Sequence, residues 1–475
     1  MKPTPALAEL DRVVSEACAA ARRERRAQWV AARALAALCD PLQRFAAAAE
    51  AGTERFFWER PAQGVALAAT GAAAVIETRG AERFADAAAA ARALCAVLHV
   101  CGEPRAPSID PLLVAGFACV DTGKSSPVWA GFPPGRLVLP ECAWVRAPDA
   151  TWHMRVRRVE PGANAAQVAA ALRRDLAADA AEARDAQCAI PSSHSGAPAA
   201  PAYRARADRT AEAYAAGVAE ALRALAAGEF EKVVLARSVR IDCERPFAAC
   251  EVLDALRSSY PSCTIFAVGH ADATFLGATP ERLLRLEGRR VETAALAGSA
   301  PRGHSPEEDA ALSRALLESK KEQSEHAVVA RELRGALAPL CDVLHAPEAP
   351  AVLRLEGIQH LETPIQGTLS RAQHILELAD RLHPTSAVAG APRDAALRWL
   401  DRHEAVERGW YGGAIGFVTA AGGGELAVAL RSALLRGRTA HLFAGAGIVV
   451  GSQPGAELQE TRLKLRALLT PLLEI

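Results

Sequence analysis

Lysine is nearly missing from this chain of 475 residues. Its 55 basic residues, matched by 55 acids, include only Lys2, Lys124, Lys232, Lys320, Lys321 and Lys464. A guanidinium stays protonated, whereas an ammonium is compact and can be desolvated into a base. In an arginine-biased chain, a surviving lysine therefore points to a place that needs an amine. Other scarcities exclude whole classes of function. The net charge is zero and neither half carries a basic block, which argues against nucleic acid or an anionic membrane as partner. No apolar run approaches the roughly 20 residues that span a bilayer. The eleven cysteines contain no C-x-x-C pair, so neither a disulfide framework nor a zinc ribbon is indicated. The first residues carry acids early and lack the basic-then-apolar layout of a secretory signal. The glycine run at 444–451 lacks the third glycine of a dinucleotide fingerprint, and His403 has no second histidine at i+4 to make a zinc site. The expectation is a cytoplasmic protein acting on a small molecule, as a monomer or a homodimer.

What is present suits a large core. Half of the residues are apolar, and the length allows about three domains or one large α/β unit. Residues 10–55 read as helix-prone, and 56–185 mix short strand-like runs (Val65 to Ala69, Ala73 to Glu77, Leu112 to Val120, Arg136 to Leu139) with helices. The Pro/Ser/Ala-rich segment 189–204 reads as a loop between an N-terminal part, 1–188, and a C-terminal part, 205–475. Beyond it, Thr210 to Ala227 reads as a helix and Lys232 opens a buried strand. Strand candidates then follow one another across short turns at 422–425 and 436–438, which favours antiparallel pairing. Ser305-Pro306 with Glu308 fits a capped helix start, and the helix can run to about Leu340.

On that helix Glu322 and Glu325 are spaced i, i+3, and a C-terminal helix after Ser452 places Glu457, Glu460 and Lys464 on one face. Two such faces could meet around a hard cation such as Mg²⁺, although each pair alone more often marks a solvated surface. Residues 427–435 read as a near-continuous apolar strand with Arg431 in its middle. An arginine placed there needs an anion. Lys232, at the mouth of its strand, would lose hydration and move toward the range useful for a base.

Ten segments in order resemble the chorismate-utilising enzymes, and within them the isochorismate synthases. They are KVVLAR at 232–237, GATPERL at 277–283, LAGSA at 296–300, SKKEQSEH at 319–326, QHLETPI at 359–365, HPTSAVAG at 383–390, RGWYGGAIG at 408–416, ALRSAL at 429–434, AGAGIV at 444–449 and ELQETRLK at 457–464. They cover most of the chain from about 205 onward. The long Pro/Ser loop is similar to the larger siderophore-pathway members. The resemblance implies a mixed α/β (α+β) fold: one large chorismate-binding unit with two stacked, mostly antiparallel sheets flanked by helices.

It also implies a chemistry. Isochorismate forms from chorismate when water adds at C2 and the C4 hydroxyl leaves. By match to the family motifs, Lys232 is the base and Glu281 the acid. Glu325 and Glu460 are direct Mg²⁺ ligands, with Glu322 and Glu457 acting directly or through water. Arg431 forks a substrate carboxylate, while Gly298, Ser299, Gly445 and Gly447 supply backbone amides. Lys464 reaches a carboxylate, His360 contacts substrate, and Ala387 lines the site. The product would feed menaquinone or a catechol or salicylate siderophore.

Three positions separate the relatives. Ammonia-using members resemble this chain but carry glutamine in place of Lys232, and one branch has a nucleophilic lysine at Ala297. Salicylate synthases, the alternative reading, have threonine where Ala387 stands. A chorismate-binding paralogue without activity would be expected to have lost some of these residues. One departure from the family is Glu322, where many relatives have aspartate.

Overall fold

The computed structural model describes residues 9–36, 39–50, 53–102, 111–123, 126–148, 150–185 and 202–473. Most of the 189–204 segment lies outside them, and only 202–204 is described, with Tyr203 opening a strand. Two large sheets dominate. Among the described residues one has thirteen strands and the other ten, and the pairing is antiparallel throughout except between Gln28–Leu35 and Leu98–Gly102. Both sheets mix strands from either side of residue 200. The larger runs from Tyr203–Ala207 through Lys232–Cys243, Thr439–Ile448 and Ala273–Thr279 to Arg55–Arg60 and Gln28–Leu35. Hydrogen bonding therefore joins the two parts of the chain into one unit.

The sheets meet over an apolar layer. Trp58 on the larger sheet and Phe417 on the smaller approach edge to face, with ring centroids 6.0 Å apart. Phe266, Phe275, Leu284 and Ile415 are fully enclosed in the same layer, each contributing about 1.5–3 kcal/mol by burial. Helices cover the outer faces. Ala211–Ala226 starts where Thr210 accepts from the Ala213 amide at 3.2 Å, leaving Tyr214, Val218 and Ala221 to pack under the Lys232 strand.

Four expectations change. The 10–55 stretch is not wholly helical: QWVAARAL forms the strand Gln28–Leu35 between helices Leu10–Glu24 and Pro41–Glu50. Its alanines favour helix, but Trp29, Val30, Ala31 and Ala32 are buried in the sheet, and tertiary packing overrides propensity. The strand read from Leu112 to Val120 ends at Phe117. The helix capped by Ser305 ends at Glu318, and Ser319 (φ −68°, ψ 111°) begins a second one, Lys320–Leu337, by accepting from the Glu322 amide. Finally, 427–435 is not one strand. Gly424–Val428 belongs to the smaller sheet and Ser432–Arg436 to the larger. Ala429, Leu430 and Arg431 carry the chain across, with Arg431 at φ 45°, an uncommon conformation for a side-chain-bearing residue.

Candidate active site

Lys232 begins its strand fully buried, with Nζ 3.0 Å from Glu325 Oε1. This ion pair is its one polar contact among the described residues. The opposing strand makes room for it. Gly447 pairs across from Val234, and a Cβ there would fall 2.0 Å from Glu325 Oε1 and 2.9 Å from Lys232 Cε. Lys232 is shut off from water, as the sequence suggests, and is not among the residues that line the pocket described below. To take a proton from water Lys232 must meet it as the neutral amine, so the tie to Glu325 has to open and the ammonium proton has to leave first.

The helix break at Ser319 sets the carboxylates. It puts Lys321 and Glu322 in a first turn facing helix Pro454–Leu473. Lys321 Nζ lies 3.0 Å from Glu322 Oε1, 3.1 Å from Glu457 Oε1 and 3.6 Å from Glu325 Oε2. Glu460 pairs with Lys464 at 2.7 Å, and its Oε1 accepts from Ser299 Oγ at 3.3 Å. Burial pushes Glu457 up to about 7, helped by the nearby charge of Glu460. Glu322 is raised by burial as well. Burial also acts to raise Glu325, but Lys232, Lys321 and Lys464 outweigh it and hold its carboxyl below the usual range. Among the described residues no three His, Cys, Asp or Glu side chains are gathered closely enough to hold a metal ion, because ammonium groups stand between the glutamates. The donor set still suits a hard cation: all oxygens, with Glu325 Oε2 and Glu457 Oε2 buried and without a hydrogen-bond partner.

Across the site Arg431 is buried, donates from Nη2 to His360 Nε2 at 2.8 Å, and leaves Nη1 without a partner. Among the described residues no carboxylate pairs with it. His360 is buried, and burial followed by the charges of Arg431 and Lys464 holds its pKa well below the ordinary value. The neutral ring accepts at Nε2, and its Nδ1 faces Gly298 O at 3.2 Å and Ser299 Oγ at 3.1 Å. Glu281 follows the Thr279-Pro280 turn, where its amide donates to Thr279 Oγ1 at 3.2 Å. Burial pushes its carboxyl up to about 8, although Lys232 and Lys464 pull the other way. It is thus a protonated acid at neutral pH.

A pocket joins these groups. Its cavity volume is about 70 Å³, small beside the roughly 300–1,000 Å³ usual for small-molecule sites. Its wall includes Glu281, Gly298, Ser299, Glu325, His360, Ala387, Arg431, Gly445, Gly447 and Lys464. Glu322, Glu457 and Glu460 lie behind it. Two of these backbone segments already have partners within the protein. The Ser299 amide already donates to Glu322 Oε2 at 2.9 Å, and Gly445 presents its carbonyl to Lys464 Nζ at 3.0 Å. Reasoning from sequence also missed Lys321, and it missed Tyr411, Leu430 and Phe443 in the wall. Only the scarcity of lysine could have marked Lys321, because its partners come from two helices distant in sequence.

Residues 15–473 match the family model described as "Chorismate binding enzyme". The chain belongs to that family. The salicylate biosynthesis isochorismate synthase of Pseudomonas aeruginosa is 37% identical over 435 residues, covering 90% of this chain and 87% of that protein. The isochorismate synthase MenF of Bacillus subtilis is 30% identical over 439 residues, 91% of each. Among solved structures, the menaquinone-specific isochorismate synthase MenF of Escherichia coli superposes with TM-score 0.74 at 25% identity, over 97% of this chain and all of that one. A DhbC isochorismate synthase structure from Bacillus anthracis gives 0.69 at 26% identity, over 91% and 99%. The likeness extends across both sheets, including the N-terminal strands.

Proposed function

We propose that this chain is an isochorismate synthase, an isomerase that converts chorismate to isochorismate with Mg²⁺. The observation that carries the reading is the buried Glu281, whose carboxyl burial pushes up to about 8, at a pocket that also contains Arg431, paired with no carboxylate among the described residues, and has the buried Lys232 behind it. Lys232 takes a proton from the water whose oxygen bonds to C2. The ring double bonds shift and the C4–O bond breaks, and Glu281 gives the departing hydroxyl its proton. Arg431 offers its free Nη1 to the enolpyruvyl carboxylate while His360 holds Nη2. Lys464 reaches a second carboxylate.

Glu325 and Glu460 would hold Mg²⁺, with Glu322 and Glu457 direct or through water. The cation would supply charge neutralisation for the ring carboxylate. Ala387 and Val388 give the wall near them an apolar surface without a hydroxyl, which fits an enzyme that stops at isochorismate. The test is incubation of the purified chain with chorismate and Mg²⁺, followed by chromatography. Isochorismate alone is expected. Fluorescent salicylate would identify a pyruvate-eliminating enzyme, and chorismate binding without turnover would identify an inactive paralogue.

A further inference from the structure

Three of the four lysines in the described residues, Lys232, Lys321 and Lys464, stand among the four glutamates, and Lys320 alone is exposed outside the group. Lys232 and Lys464 belong to the chemistry proposed above. Lys321 has no place in it, yet its ammonium sits between Glu322, Glu325 and Glu457 at 3.0, 3.6 and 3.1 Å. Its side chain is 19% exposed, against 14% for Glu322, 7% for Glu325 and 2% for Glu457, so it has more access to water than any of its three partners.

We propose that Lys321 is a tethered counter-cation that occupies the place of the divalent ion and must swing out before the ion binds. The inference rests on the Mg²⁺ reading of the site. Without a cation, Glu322, Glu325 and Glu457 would leave concentrated negative charge in a buried pocket, which is costly. A single charge on a flexible four-carbon stem cancels part of it and is released without breaking a forked contact. A guanidinium would form planar bidentate bonds and stay. The arrangement also keeps ligand carboxylates buried before metal arrives. Its consequence is a reduced apparent metal affinity, since only the fraction of molecules with Lys321 displaced can bind.

The test is Mg²⁺ titration by calorimetry on the full chain without substrate, for wild type, Lys321→Met, Lys321→Arg and Lys320→Met. Lys321→Met should bind Mg²⁺ at least roughly tenfold more tightly and gain more thermal stability from it than wild type. Lys321→Arg should fold and bind it more weakly, and Lys320→Met should match wild type. Mg²⁺ bound by wild type but with unchanged or weaker affinity in Lys321→Met would overturn the proposal and leave the metal site standing. Should Lys321→Met fail to fold, wild-type affinity in Lys321→Arg overturns it equally well. No binding of Mg²⁺ by wild type or Lys321→Met, with or without chorismate, would instead remove the metal reading beneath it.

Discussion

Arg431 is held in plane by His360: its Nη2 donates to the imidazole Nε2 at 2.8 Å, and the same ring reaches Ser299 and Gly298 through Nδ1. A buried guanidinium with one nitrogen occupied and Nη1 free is a prepared receptor for a carboxylate. Its neutral partner ring keeps a second positive charge out of the pocket.

The first prediction tests this receptor. Arg431→Lys keeps the charge and loses the fork, so KM for chorismate should rise roughly tenfold or more. His360→Ala should raise KM in the same direction by a smaller factor, since the arginine remains but is no longer fixed. Steady-state kinetics with unchanged KM in both variants would reduce Arg431 to a structural cation.

Glu281 gives the second prediction. With its carboxyl at about 8, the rate should fall as pH rises through that value, and this alkaline limb should be absent in Glu281→Gln. That variant should lose roughly two to four orders of magnitude in rate while still binding chorismate. Stability follows the same titration. The folded value lies above the reference 4.5, so the folded state binds the extra proton. The contribution is fully present below about 4.5 and is lost as pH rises through 8. Thermal melts from pH 5 to 9 should therefore show wild type losing stability relative to Glu281→Gln. Parallel melting curves would place Glu281 in a wetter setting.

Much of this site was legible in sequence because its signals are local. Thr279-Pro280-Glu281, the i, i+3 glutamates and the capped helix starts announce themselves within a few residues. The misreadings concern relations between distant segments. Nine apolar-rich residues around Arg431 look the same whether they form one strand or cross from sheet to sheet, and only the partners of Val428 and Ser432 decide it. The Ser319 break was hidden by good helix formers on both sides. Lys321 stayed silent because a lysine next to a glutamate ordinarily lies on a solvated helix face, and its meaning depends on Glu457, 136 residues later. The strand Gln28–Leu35 is alanine-rich, and its identity comes from pairing with Thr151–Val159.

Gly447 carries the third prediction. A methyl group there would overlap Glu325 Oε1 at 2.0 Å and crowd Lys232 Cε at 2.9 Å. Since Gly447 has no positive φ, Gly447→Ala should fold, with the Glu325 carboxylate driven from its place. Turnover should drop by at least roughly tenfold, an effect expected when a catalytic group shifts by about 1 Å. Near-normal kcat with an intact melting curve would mean that the Lys232–Glu325 contact is not used in catalysis.

The fourth prediction concerns the metal. Excess EDTA should abolish isochorismate formation and added Mg²⁺ should restore it. Glu325→Gln and Glu460→Gln should each lose most of the rate and weaken Mg²⁺ binding measured by calorimetry, because each removes a charged oxygen donor. Full turnover in chelator would sink the assignment.

Lys232 supplies the last prediction, and two readings of it differ in outcome. Lys232 could serve only as the counter-ion of Glu325, at 3.0 Å in a fully buried setting. Removing it would then leave an unpaired buried carboxylate. Alternatively it leaves that contact to take a proton from the attacking water. Lys232→Gln approximates its volume and copies the residue that ammonia-using relatives carry at this position. A counter-ion role predicts that Lys232→Gln loses stability at neutral pH and that its rate falls only with its folded fraction. The base role predicts isochorismate formation roughly two to four orders of magnitude below wild type at a temperature where Lys232→Gln is fully folded. Chorismate binding by Lys232→Gln, followed by calorimetry, should remain near wild type, since Lys232 does not reach the pocket wall. A single variant with near-normal water addition would refute the base outright.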